Sequence, residues 1–549
     1  MHILKELILT TISNSLKHSS ITTCSQWACA YRMMGNPFPG PWTFKYHPWL
    51  QEMHDDNAEI IIGQKGAQVG FTEWAMNVAF YSIDILNIDT LYIFPSSDDA
   101  SDFSAGRFDP ALENSIRLKT LFSDVKNVGH KRAGQNNLYI RGSRSRSKLK
   151  SIPCGLLIFD EVDEMNQQNI PLALERASGQ VKKNIVFIST PTVEDFGINV
   201  YFKDSTQEHF YFICPHCHRY ITFEFPDSLN ILGDSINDPS LKFSHYQCTK
   251  CKGKLEHAEK SELLKTGIFV PDFSGRESHG YTISQMFSSA VGGRPVEIAK
   301  SVIKAENNPT EATELYNSKL GQTYEVEGAR ITDTQITACI GNYLQGPGTH
   351  RIVTMGIDVG NLFHYTIDEW LLPQRRTPGL DINDEAIPRT IKIGSCKDTI
   401  ELSMIFKDYN VTAAVIDRYP EQRIAFQFAS QFRGRILLCM YGRGLYGKQV
   451  QMGTEDELTI TVDRTSWLDL SLGRFKNHRI SLPKDLPLEY RKHLREPVRI
   501  YEKDSNGNPI GRYVSARDDH FAHARNYSEI ALIKALSFGR AQDITRSPR

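Results

Sequence analysis

Leu156-Leu157-Ile158-Phe159-Asp160-Glu161 is a short apolar run that ends in two adjacent acids. Four hydrophobic residues of this kind read as a strand buried on both faces, and the acids then stand at its carboxyl end. Three more apolar runs, 58–62, 90–94 and 185–188, are each followed by Gly, Pro, Ser or acidic residues. Short strands alternating with helical or irregular stretches give an α/β chain with a doubly wound parallel sheet. Ligands of such sheets bind at the carboxyl ends of the strands. There Asp160 can hold Mg²⁺ through its water shell while Glu161 orients or deprotonates an attacking water, because phosphoryl transfer needs positioning and charge neutralisation more than covalent chemistry. The competing reading is an exposed acidic turn, since Asp163 and Glu164 follow at once.

The loop after residues 58–62 decides between them. Gly63-Gln64-Lys65-Gly66-Ala67-Gln68-Val69-Gly70-Phe71-Thr72 precedes a helix expected from Glu73. A strand, a glycine-bearing loop and a helix start present backbone N–H groups to phosphate. The common pattern G-x-x-x-x-G-K-[ST] is not met: Phe71 takes the lysine position and Lys65 stands where the first glycine would be. Lys65 can reach phosphate from the opposite side of the loop, and the Thr72 hydroxyl can bind Mg²⁺. Taken alone, the loop fits a plain strand-turn-helix equally well; with the acidic strand end behind it, a nucleotide site is the better reading. Ser189-Thr190-Pro191, after the last of the four strands, then stands where loss of the γ-phosphate can be sensed.

Past the middle, Ile352-Val353-Thr354-Met355-Gly356-Ile357-Asp358 is a second strand with an acidic end, and Asp417 ends a third at 413–416. A lone Asp at a strand end is usually a turn former. A further cluster, Arg517-Asp518-Asp519-His520, precedes an expected helix. Three separated carboxylate positions converging on one sheet suit two-metal phosphodiester cleavage, with ions roughly 4 Å apart. Between the halves lie Cys214-Pro215-His216-Cys217 and Cys248-Thr249-Lys250-Cys251. Two C-x-x-C pairs can close a tetrahedral zinc site, structural because all four ligands are sulfur. His216 and His218 are substitute ligands or exposed side chains.

At 549 residues the chain exceeds one hydrophobic core, and two or three domains are expected. Lys plus Arg (63) nearly cancels Asp plus Glu (64), so a nucleic-acid surface must be local. The densest cationic run, Arg141-Gly142-Ser143-Arg144-Ser145-Arg146-Ser147-Lys148-Leu149-Lys150, is a solvated loop, a DNA-phosphate contact or a source of an arginine for a neighbouring subunit's ATP; Arg491-Lys492-His493-Leu494-Arg495 is a second basic stretch. No apolar run is long enough to span a membrane, the first ten residues do not read as a signal peptide, and scattered thiols fit a reducing cytoplasm.

In order and spacing, the loop 65–72, Phe103-Ser104-Ala105-Gly106-Arg107-Phe108-Asp109-Pro110, Phe159-Asp160-Glu161-Val162-Asp163-Glu164 and Tyr316-Asn317-Ser318-Lys319-Leu320-Gly321 resemble the large terminase subunit of tailed phages, lambda-like type, in which the displaced lysine is a recognised variant. The resemblance runs from about residue 27 to 531. It implies a RecA-like (ASCE) ATPase domain at 1–204 (core about 40–204), a zinc-ribbon-like module at 205–258, a helical segment and linker at 259–345, an RNase H-like nuclease domain at 346–535 and a flexible tail at 536–549. The implied ATP site comprises Lys65, Gly66, Ala67, Gln68, Val69, Gly70, Phe71, Thr72 and Asp160, with Glu161 catalytic, Ser189, Thr190 and Pro191 coupling, and Tyr46 or a neighbour against adenine. A core aromatic cluster is the other reading of Tyr46. Asp358 and Asp417 map onto the first two nuclease acids and Asp519-His520 onto the third motif. His523 stands where many relatives carry another Asp, which leaves Asp518 as an alternative ligand. The cofactors implied are ATP, Mg²⁺ or Mn²⁺, and Zn²⁺ on Cys214, Cys217, Cys248 and Cys251. Implied partners are double-stranded DNA, a small terminase subunit and a portal protein, with a homo-oligomeric ring docked on the prohead in the host cytoplasm and no membrane. Another DNA-remodelling ATPase with an RNase H-like recombinase domain, or a non-enzymatic zinc-stabilised assembly protein, are the alternatives.

Overall fold

A computed structural model describes residues 21–36, 39–123, 125–150, 152–350, 352–375, 377, 381–442, 445, 447–453, 458–503 and 508–544. The chain divides into two compact units, Met1–Tyr324 and Glu325–Arg549.

The first unit is built on one large sheet. Its parallel core runs in the order His279–Ile283, Ile60–Lys65, Asn184–Ser189, Leu156–Asp160, Thr90–Phe94, Asn136–Gly142. Thr90–Phe94 and Leu156–Asp160 are buried at every position, which is why they read as continuous apolar runs and not as alternation. The helix Phe71–Asp84 covers one face through Phe71, Trp74, Ala75, Ala79, Phe80 and Ile83. It starts on Gly70, at φ 89°, where an added Cβ would lie 2.8 Å from Leu50 Cδ1, so both conformation and space demand glycine.

Several expected boundaries differ. The first strand runs on to Lys65, so that lysine is a strand end and not a loop residue. His279–Ile283 lies within the stretch read as helical, yet it pairs in parallel with Ile60–Lys65. His-Gly-Tyr-Thr-Ile is too short and too polar to announce itself as a buried strand. Glu208–Ile213 in turn pairs with His279–Ile283, so the cysteine segment grows out of the large sheet rather than forming a free-standing module. Within the expected helical segment lie Pro309–Thr313 and, directly after it, a π-helical Glu314–Leu320.

The second unit carries a seven-stranded sheet: Ile387–Cys396, Phe363–Leu371 and Val353–Val359 are antiparallel neighbours, and Ala413–Asp417, Ile436–Tyr441 and Thr459–Val462 continue in parallel, with Val450–Met452 antiparallel at the edge. Helix His520–Ile544 lies against the central strand. An added Cβ on Gly356 would stand 1.9 Å from Ala524 O, so only glycine lets the helix backbone approach. On this helix Glu529 accepts from Arg474 Nε (2.7 Å) and, one turn away, from Arg525 Nη2 (2.6 Å), all three side chains being almost wholly buried. This unit begins at Glu325 where the nuclease domain was expected from 346, and the helix takes in 536–544 of the expected tail; 545–549 lie outside the described residues.

Candidate functional sites

At the carboxyl end of the parallel sheet a cavity of about 520 Å³ is lined by Tyr46, Lys65, Ala67, Gln68, Val69, Gly70, Phe71, Thr72, Glu161 and Thr190, among others. Lys65 reaches it from the end of its strand, and its Nζ donates to Glu161 Oε1 (3.0 Å) and Thr190 Oγ1 (3.4 Å). Burial works against the ammonium, yet the charges of Glu161 and Asp160 outweigh it and hold the pKa above its ordinary value. Asp160 is buried on the neighbouring strand end; its Oδ2 accepts from Tyr92 OH (2.8 Å) and its Oδ1 has no hydrogen bond among the described residues. Burial and the adjacent Glu161 push its pKa up to about 6. Glu161 adopts φ 61°, a left-handed conformation that costs a non-glycine residue energy and that recurs at functional sites.

The loop is held from behind. Gly66 N donates to Ile283 O (2.8 Å) and Ala67 N to Ser318 O (2.5 Å). Asn317, on the same π-helical turn, donates to Pro191 O (2.5 Å) and to Thr192 O. One helical turn therefore touches both the glycine loop and the Ser189-Thr190-Pro191 segment. Ser189 Oγ accepts from Asp163 N (3.1 Å), and the Asp163 carboxylate accepts from Thr192 N (2.8 Å) and Ile198 N (2.7 Å). Phe71, in the usual lysine position, is buried against Trp74 and offers no charge. Tyr46 lines the cavity beside Trp42, Thr43 and His47. Arg107, in the segment 104–108, also lines it and pairs with Glu73 (3.4 Å). Nothing in the sequence of 103–110 marks Arg107 as a cavity residue.

The basic run splits. Arg141 is half-buried, its guanidinium donating to Ile140 O (2.9 Å) and Gly129 O and lying 5.6 Å over the Tyr139 ring. Arg144, Arg146 and Lys148 are exposed. Arg141 and Lys148 line a separate cavity of about 360 Å³, and neither lines the one holding Lys65.

The four cysteines converge. Sγ atoms of Cys214 and Cys251, and of Cys217 and Cys248, are 3.9 Å apart, and all four lie within 4.8 Å of one another. Cys248 Sγ accepts from Lys250 N (3.3 Å) and Cys251 N (3.4 Å), and against the effect of burial these N–H groups bring its thiol down to about 7. His216 turns away to Lys254 O (2.7 Å).

In the second unit Asp358 and Asp417 end adjacent parallel strands, with Ile357 beside Ile416. Burial pushes Asp417 up to about 6, and the Asp358 charge adds to it. Asp519 precedes the long helix; Ser515 Oγ donates to it (2.6 Å) and His523 Nε2 lies 3.3 Å away, so despite burial its pKa falls well below the usual range. Asp518 is largely exposed, 3.7 Å from His520 Nε2. The nearest partners of Asp358 are histidines: His520 Nδ1 stands 2.8 Å from Asp358 Oδ2, and Asp358, His364 and His520 have ligand atoms within 4.8 Å of one another. His364, Tyr441 and Tyr527 were not anticipated. Tyr441 OH hydrogen-bonds His523 Nδ1 (2.9 Å), and Tyr527 stacks on Tyr441. No pattern in the sequence singles them out.

Residues 36–269 match the family model described as phage terminase large subunit gpA, ATPase domain. The large terminase subunit of Escherichia phage lambda is 23% identical over 359 residues, 58% of this chain and 55% of the lambda protein, so the match spans about half the length of that relative. The HK97 bacteriophage large terminase superposes over 93% of this chain and 100% of its own, with a TM-score of 0.48 and 12% identity. The large terminase nuclease of phage G20c covers 36% of this chain and 95% of its own, with a TM-score of 0.22 and 14% identity. The gpA ATPase-domain match spans most of the residues that line the cavity holding Lys65 and Glu161, and over that stretch the chain is similar to the large terminase subunit of phage lambda.

Proposed function

We propose that this chain is a terminase large subunit that hydrolyses ATP to drive double-stranded DNA into a prohead and cuts concatemeric DNA with a metal-dependent endonuclease. The observation that carries the reading is Lys65 facing Glu161 at 3.0 Å across a cavity at the carboxyl ends of a parallel sheet. When nucleotide phosphates enter, Lys65 exchanges the Glu161 carboxylate for phosphate oxygens, and Glu161, released, is free to orient water and take its proton. The unpartnered, buried Asp160 Oδ1 and the Thr72 hydroxyl suit Mg²⁺, which would neutralise developing phosphate charge. Thr190, 3.4 Å from Lys65 Nζ, registers the lysine's position; Asn317 then ties that segment to the turn backing the glycine loop.

The second unit supplies the nuclease, of RNase H-like type, with Asp358, Asp417 and Asp519 as candidate holders of Mg²⁺ or Mn²⁺ and Asp518 as the outlying alternative. Such ions polarise the phosphodiester and stabilise attacking and leaving oxygens. The close grouping of Cys214, Cys217, Cys248 and Cys251, with N–H groups aimed at Cys248, fits structural Zn²⁺ in a ribbon-like knuckle pair. Arg144, Arg146 and Lys148 are placed to meet DNA phosphate or a neighbouring subunit; a small terminase subunit, a portal and a homo-oligomeric ring in the host cytoplasm complete the reading. No helix among the described residues is long and apolar enough to cross a membrane.

The test is ATP-driven packaging by purified proheads with wild type, Lys65→Ala and Glu161→Gln. Wild-type packaging lost in both variants supports the reading. ATP hydrolysis and DNA cleavage by a wild type that packages no DNA would instead favour a recombinase-type remodeller.

A further inference from the structure

Close to the nuclease acids lies a second group of metal-binding side chains that the proposed chemistry does not use. His364, on the strand Phe363–Leu371, pairs in register with Asp358. Helix Leu488–Arg495 carries Glu489 and His493 one turn apart, which puts both on one face. Glu489 Oε1 is 4.0 Å from His364 Nε2 and 4.0 Å from His493 Nε2, and the three residues have ligand atoms within 4.8 Å of one another.

The two imidazoles are more than nine-tenths buried, whereas Glu489 is 59% exposed. Neither ring makes a hydrogen bond among the described residues, and the Nδ1 atom of each is buried without a partner. It is the other nitrogen of each ring, Nε2, that stands nearest Glu489 and is the one a shared ligand would meet.

Ring orientation separates this group from the one around Asp358. His364 and His520 stack almost parallel, 4.5 Å between centroids and 10° between planes. An ion bound to an imidazole nitrogen lies in that ring's plane, so two stacked rings cannot share one. His364 and His493 are inclined at 57° with centroids 5.8 Å apart, and inclined planes can meet on one ion. The 4.0 Å nitrogen–oxygen separations are wider than the roughly 3.4 Å edge of a tetrahedral site with bonds near 2.1 Å. Rotation of the exposed Glu489 carboxylate closes that gap.

We propose that His364, His493 and Glu489 form a binding site for a borderline divalent transition metal, Zn²⁺ or Co²⁺ rather than Mg²⁺. Two imidazole nitrogens and one carboxylate oxygen are the donor set that selects such ions, and three protein ligands leave a position for water. The ion would fasten helix Leu488–Arg495 to the strand that faces Asp358. It is distinct from the four-sulfur group and does not depend on the nuclease reading.

The test uses the full-length protein, stripped with chelator and titrated with Zn²⁺ and, in parallel, Co²⁺. Cobalt on thiolates gives near-ultraviolet charge-transfer bands; cobalt on nitrogen and oxygen gives visible bands without them. The expected result is a wild type that binds an equivalent lacking thiolate bands, present also in Cys217→Ser. Glu489→Gln and His493→Gln should weaken that equivalent by at least about tenfold and leave any thiolate signal unchanged. Because Glu489 is exposed, its glutamine variant decides the matter if His493→Gln fails to fold. An equivalent that Glu489→Gln keeps, or that Asp358→Ala removes while Glu489→Gln does not, overturns the proposal, as does wild type without any non-thiolate equivalent.

Discussion

Acid should loosen the first unit through one histidine. His54 is buried on helix Leu50–Asp55; its Nδ1 lies 2.6 Å from Leu50 O and its Nε2 3.1 Å from Asn77 Nδ2. A carbonyl only accepts, so Nδ1 carries the proton and Nε2 accepts from Asn77, whose Oδ1 in turn accepts from Arg32 Nε (3.1 Å). The neutral ring is fully satisfied, and protonation would set an N–H against an amide N–H. Burial accordingly lowers its pKa from 6.5 to about 4. Above pH 6.5 the ring is neutral folded or unfolded and its full contribution is present. As pH falls, the unfolded chain takes up the proton first, and stability drops by about 2 kcal/mol by pH 5 and about 3 kcal/mol by pH 4. His47, lowered to about 4 by burial, acts in the same direction, so the informative quantity is the difference between wild type and His54→Gln. Urea titrations from pH 8 to pH 4, read by amide exchange in peptides covering 50–84, should show the wild-type advantage shrinking by that amount. A difference that stays constant from pH 8 to pH 4 would refute the reasoning. Because Arg32 also pairs with Glu73 (2.7 Å), which lines the nucleotide cavity, ATP affinity should weaken over the same range.

Lys65→Ala should lower ATP hydrolysis by about 100-fold or more and weaken nucleotide binding, whereas Glu161→Gln should keep binding and lose turnover by about 10²–10⁴-fold; equal loss of binding in both would contradict their separate roles. Glu529→Gln leaves Arg474 and Arg525 buried with less compensation and should destabilise the second unit by about 3–5 kcal/mol, seen as a lower melting transition in calorimetry. An unchanged transition would show the network to be dispensable. Cys248→Ser should cost one bound zinc ion by native mass spectrometry and lower the melting temperature of the first unit, and a variant that keeps the full zinc content and an unchanged melting temperature would oppose it.

The strands that the sequence revealed are the fully buried ones. Thr90–Phe94 and Leu156–Asp160 show as uninterrupted apolar runs because helices or loops cover both faces, and their acidic or turn-forming ends mark the site directly. His279–Ile283 escaped because it holds its place through pairing with Ile60–Lys65, a long-range contact without local signature. Lys65 was read as a loop residue for a related reason: Gly63 suggested a turn, whereas the strand continues two residues past it. In the second unit Asp358 and Asp417 were legible as strand ends, but His364, Tyr441, Tyr527 and His493 come from four separate elements and meet only through sheet register and helix packing. The pairing of Arg141 with nearby carbonyls was equally hidden, since a basic run looks the same whether its first arginine is anchored or free.

The proposal of two activities on separate units is best tested with one pair of preparations: wild type and Asp358→Ala, each assayed for plasmid cleavage with Mg²⁺ or Mn²⁺ and for ATP hydrolysis. Cleavage lost and hydrolysis kept in the variant is the predicted result; cleavage that survives intact without Asp358 would contradict a nuclease centred on that carboxylate.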